Sequence, residues 1–160
     1  MNFQHDDGGR AAAGYKGQAG DCVCRAIAIA AGLPYQQVYD ALHERIKEFA
    51  STSRSRAAKR AARGGGRTGT TPRNGVNKGV TRRYMESLGA TWTPTMAIGS
   101  GCKVHLRDGE LPAGRLVVSV SKHVCAVIDG VIHDTHDPSR DGTRCVYGYY
   151  TLPVAQEHHE

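Results

Sequence analysis

A chain of 160 residues, 39% of them apolar, is the size of one domain and can bury its own core without staples. No apolar run is long enough for a membrane span or a secretory h-region, and five cysteines cannot all pair within one chain. These features point to a soluble, cytoplasmic protein of a reducing compartment, with free thiols and no membrane contact. The net charge of +6 is uneven: residues 51 to 83 hold ten Lys or Arg and no Asp or Glu, which leaves 11 basic and 15 acidic residues elsewhere. Basicity confined to one segment places any acidic or nucleic-acid partner there and not over the whole surface.

In chain order, residues 1 to 14 are rich in Gly, Ala and polar types without a period, the composition of a flexible N-terminal arm. From Cys22 to Ala31 the only strongly polar residue is Arg25, and a helix apolar nearly all round is normally buried. Asp21 stands at its N-cap position and Gly32 where a C-terminal glycine belongs. Pro34 opens a second helix, with Tyr35, Val38, Tyr39, Leu42, Ile46 and Phe49 on one stripe. A basic, Gly-rich loop with room for one fraying helical turn spans about 51 to 75, and a third helix over 75 to 88 ends at Gly89. "ATWTPTMAIGSG" reads as irregular chain, with Trp92 either a groove wall or packed under a loop. "RLVVSVS", "HVCAVID", "GVIHDT" and "RCVYGYY" are strand-like, and Asp129-Gly130 is a hairpin signal between two of them. Helices first and an antiparallel sheet after make a single α+β domain over residues 1 to 160.

The chemistry concentrates in "GDCVCRAIAIA" and "SKHVCAVIDGVIHDT". A thiol at the start of a buried helix meets unpaired N–H groups and the positive end of the helix dipole, both of which favour the thiolate. Cys22 is at that position, and Arg25 adds a positive charge one turn on. If the strands on either side of Asp129-Gly130 pair about that turn, His123 and Asp134 fall at the same open end of the hairpin. Cys22, His123 and Asp134 then make the nucleophile, base and orienter set of covalent acyl transfer.

This pattern, a Gln shortly before a Cys that opens a buried helix, with His and Asp later on neighbouring strands, resembles the papain-like cysteine peptidase superfamily. "DCVCRAIAIA" looks most like the opening of the peptidase domains that process bacteriocin leaders, and "HVCAVIDGVIHDTHDP" like their histidine segment. The chain also resembles short uncharacterised phage and prophage proteins over most of residues 14 to 150. The resemblance implies a papain-like fold, a bacterial or phage-infected host cell, a peptide or protein substrate, and peptidase, isopeptidase, deamidase or transamidase activity. The resemblance carries two implications for the nucleophile: papain's oxyanion Gln stands six residues before it, which from Gln18 implies Cys24, whereas the Asp-Cys pattern of the bacteriocin-leader peptidases implies Cys22. On a helix the two sulfurs point about 200° apart, so at most one faces a cleft; the helix terminus and Arg25 favour Cys22, with its backbone N–H a second oxyanion donor.

The remaining cysteines, Cys102, Cys125 and Cys145, read as core or loop residues. No cofactor or metal is expected: Cys22-x-Cys24 with His105, His133 and His136 lacks the second spaced pair of a zinc site, and the His133, Asp134, His136, Asp137 run is a looser cation cluster. The alternative to an enzyme is an inactive scaffold that binds nucleic acid or a partner protein through Arg54, Arg56, Lys59, Arg60, Arg63 and Arg67. No aromatics interleave those charges to stack bases.

Overall fold

The computed structural model describes residues 1–16, 20–63 and 70–153. The elements are β1 (Asn2–His5), α1 (Cys22–Ala31), α2 (Tyr35–Thr52), α3 (Arg56–Arg63), α4 (Lys78–Ser87), β2 (Thr91–Pro94), β3 (Arg115–Val120), β4 (His123–Ile128), β5 (Val131–Asp134) and β6 (Val146–Thr151). The class is α+β, with four helices and one six-stranded sheet among the described residues, in the order β1-β5-β4-β3-β6-β2. None of these helices is long and apolar enough to cross a membrane.

Helix α1 forms where the apolar run begins and stops at Gly32, whose left-handed backbone (φ 66°) turns its N–H back to the Ala28 and Ile29 carbonyls. Eight of its ten residues are buried, because α2 packs on one side and the centre of the sheet on the other. The α2 stripe supplies Val38, Leu42 and Ile46, all essentially inaccessible. Full burial of each such side chain is worth about 1.5–3 kcal/mol. Pro34 is the residue before α2 and not its first. Asn77 caps α4 by accepting from the Gly79 N–H at 2.8 Å, and Gly89 (φ 81°) follows its end.

The sheet separates two apolar clusters by strand alternation. Val117 and Ala126 face α1, α2 and α4, with Ile27, Leu42 and Met85. Leu116, Val118, Val127, Ile132 and Val146 face the opposite layer, closed by Leu106. Asp129 (φ 46°) and Gly130 (φ 79°) make the two-residue turn with both central residues left-handed, and this fixes Ile128 opposite Val131 and Ala126 opposite His133.

Several expectations are corrected. Residues 2 to 5 are not part of a loose arm but an edge strand, parallel to β5 from Asn2↔Val131 to His5↔Asp134, so the sheet is mixed. Thr91–Pro94 is strand β2, antiparallel to β6, where irregular chain was expected; Trp92, half-buried, packs on Tyr150 at 4.7 Å between ring centroids and lies across Gly148, where an added Cβ would come within 2.3 Å of its ring. The basic segment contains α3, two turns long and packed on α2, where one fraying turn was expected.

The thiols are not all free. Cys102 and Cys145 form a disulfide across 43 residues, with Cα atoms 5.8 Å apart. Backbone bonds from Leu106 N–H to the Arg144 carbonyl and from Val146 N–H to the Val104 carbonyl, both 2.8 Å, lay the Cys102 segment beside β6 and bring the sulfurs together. An odd cysteine count forbids complete pairing but not one pair, so the inference to uniformly free thiols fails. Cys22, Cys24 and Cys125 remain reduced.

Candidate active site

Three elements converge on one imidazole. The β4–β5 register, continued by one pair from Ala126↔His133, sets Asp134 opposite Cys125 and so one diagonal step from His123 on the same face. His123 Nε2 donates to Asp134 Oδ2 at 2.6 Å. Helix α1 packs across β4, and its first residue, Cys22, lies near enough to the His123 ring for the two to act on each other's ionisation. With Nε2 occupied by Asp134, Nδ1 is the nitrogen left for the thiol.

The electrostatics follow from these contacts. Burial pushes the Cys22 thiol up, but the hydrogen bond and charge of His123, the Val124 N–H and the Arg25 guanidinium outweigh it and hold the thiol below its ordinary value. For His123, burial works downward; the Asp134 and Cys22 hydrogen bonds and their charges overcome it and push the ring up to about 9. Asp134 is raised by burial and lowered more by His123, the Thr135 N–H and Arg25, so it lies below the usual carboxylate range. Each group stabilises the charged form of the next, which is the pattern of a thiolate–imidazolium pair backed by a carboxylate.

Cys24 is the bystander. Fully buried, it points to the Tyr35 carbonyl at 3.9 Å, and burial pushes its thiol up to about 12. The approximately 200° between i and i+2 on a helix separates the two sulfurs as the spacing requires. Cys125 is also buried, and its thiol is raised by burial and by the charges of Asp134 and Cys22.

Beneath the triad lies a buried ionic network. Asp21 stands at the N-cap position, but its side chain makes no cap hydrogen bond. Instead Oδ1 takes the Arg25 Nη1 ion pair and Oδ2 accepts from the Tyr35 hydroxyl at 2.7 Å, with Arg10 Nε 3.6 Å away. Arg25 is 6% exposed and spans the site, with Nη2 3.5 Å from Asp134 Oδ1, which also accepts from the Thr135 N–H at 2.7 Å. Arg25 thus acts on the thiol through space and on the imidazole through Asp134.

Of the other expected residues, Gln18 and Arg67 lie outside the described residues. Arg54, Arg56, Lys59, Arg60 and Arg63 are exposed on and before α3, away from the triad in the fold. His133 turns from the expected cation cluster toward Asp6, with Nδ1 3.7 Å from Oδ2. His136, the other histidine of that run, is exposed and places its ring centroid 5.0 Å from that of His123. The signal for it was its position two residues beyond Asp134, just past the end of β5.

No protein-family model matches the chain, and no curated protein or solved structure matches it.

Proposed function

We propose that the chain is a papain-like cysteine-dependent hydrolase acting on a peptide, isopeptide or side-chain amide. One observation carries this reading: a single imidazole bonded to a buried carboxylate at 2.6 Å and electrostatically coupled to a helix-terminal thiol. A structural histidine needs one partner, and a core cysteine needs none.

In the proposed cycle the Cys22 thiolate attacks the carbonyl carbon, forming a C–S bond while the carbonyl electron pair moves onto oxygen. N–H groups of the first turn of α1, which have no partner within the helix, stabilise that oxyanion. The imidazolium of His123 protonates the leaving nitrogen as the C–N bond breaks, giving a thioester. The neutral ring then takes a proton from water as the water oxygen bonds the acyl carbon; the C–S bond breaks, the carboxylic acid leaves, and the thiolate–imidazolium pair is restored. Asp134 keeps the ring oriented throughout and favours its charged form.

The expected result with an activated peptide ester is a mass increase of one acyl group on Cys22, released by hydroxylamine, in the wild type and not in Cys22→Ser. Acylation of Cys24 instead, or of no cysteine, would remove the proposal.

A second reading has one observation in its favour. Arg56, Lys59, Arg60 and Arg63 recur at i, i+3, i+4 and i+7 on α3, so they form one cationic stripe, while Ala58 is buried against the fold. Such a stripe fits phosphate contact by charge, with steep salt dependence. It is compatible with the hydrolase reading.

A further inference from the structure

We propose that His123, Asp134 and His136 form a binding site for a divalent d-block cation of the zinc class, which occupies the carboxylate side of the imidazole. One ligand atom from each of the three residues lies within 4.8 Å of the others. Metal–ligand bonds of about 2.0–2.1 Å in a tetrahedral site put ligand atoms about 3.3 Å apart. The adjustments are small: His123 Nε2 and Asp134 Oδ2 open from 2.6 Å, and the exposed His136 ring closes toward them by side-chain rotation.

Chemistry selects the ion. Two imidazoles and one carboxylate suit zinc, cobalt or nickel and not calcium or magnesium, which require oxygen ligands. Three protein ligands leave a fourth position to water. Asp134 does not have to surrender its other partners, since the Thr135 N–H and Arg25 bind Oδ1 and leave Oδ2 for the ion. The Arg25 charge opposes the cation, and Asp134 together with the two neutral rings must outweigh it.

Binding replaces the proton shared by Nε2 and Oδ2 and releases it to solvent. Cys22 is not among the residues whose ligand atoms cluster there. If the triad acts as proposed above, the ion inhibits it reversibly by separating Asp134 from His123; the site itself does not depend on that reading.

Cobalt(II) titration of the intact chain tests this, read by its visible d–d bands. The expected result is one equivalent bound with tetrahedral-strength bands in the wild type and in Cys22→Ser. His136→Ala, at an exposed position, should weaken binding by at least about 100-fold, the upper end of the cost of losing an outer-shell partner alone. Equal binding by wild type and His136→Ala, or no binding by either, would overturn the proposal. So would a thiolate-to-cobalt charge-transfer band that Cys22→Ser abolishes, since that places the ion on the thiol. Loss of hydrolysis in Cys22→Ser with cobalt binding intact separates this proposal from the catalytic one.

Discussion

Asp134→Asn is expected to lower the rate of Cys22 acylation about 10²- to 10⁴-fold, the range carried by positioned acid–base catalysis. The amide keeps the shape of the carboxylate but not its charge. His123 is held up to about 9 against the effect of burial by its hydrogen bonds and ion pairing with Asp134 and Cys22. Without the Asp134 charge the ring falls back from about 9 toward its ordinary 6.5, with only Cys22 left to oppose burial. Near neutral pH the ring is then uncharged, and the thiol loses the main influence lowering it against burial. The sign is therefore fixed: the pH–rate profile of Cys22 moves to higher pH, and the rate at pH 7 falls. Stopped-flow alkylation of wild type and variant across pH checks this. An unchanged profile would mean that Asp134 serves the fold alone.

Asp21→Ala is expected to destabilise the protein by about 3–5 kcal/mol, read as a fall in the denaturant midpoint. Truncation strands the buried Arg25 on Asp134 alone and leaves the Tyr35 hydroxyl without its carboxylate. Leaving a buried charge without its partner costs that much, whereas the exposed Arg82–Glu86 pair is worth at most about 1 kcal/mol. Glu86→Ala is the control. A loss for Asp21→Ala no larger than the control's would show that Arg25 is hydrated in solution. The same variant should also slow Cys22, because α1 is anchored through this network at the turn that carries the thiol.

What was readable in advance was local. Cys22 at a helix start follows from Asp21, the apolar run and Gly32. The proximity of His123 to Asp134 follows from a two-residue turn whose register admits one pairing. Even the separation of Cys22 from Cys24 is a property of helix geometry. What was missed depends on contacts distant in sequence. The strand at residues 2 to 5 is defined by parallel pairing with β5, more than a hundred residues away, and its own composition has no period. Cys102 and Cys145 meet through backbone bonds between segments with no local signal for each other. Asp21 carried the sequence mark of a cap, yet the guanidinium one turn later competes for its carboxylate and wins, because a buried Arg25 has to be paired. His136 was legible only as one member of a loose His and Asp run; that its ring lies beside His123 depends on where the sheet places β4 and β5.

In the proposed mechanism Cys22, and no other cysteine, is held as a reactive thiolate by His123. Iodoacetamide labelling rates, resolved to each cysteine by peptide mapping and followed from pH 5 to 10, test it directly. Cys22 should label rapidly already below pH 7, with Cys24 and Cys125 slow throughout the range. Equal, slow labelling of Cys22 and Cys24, rising together as ordinary thiols do around pH 9, would contradict it.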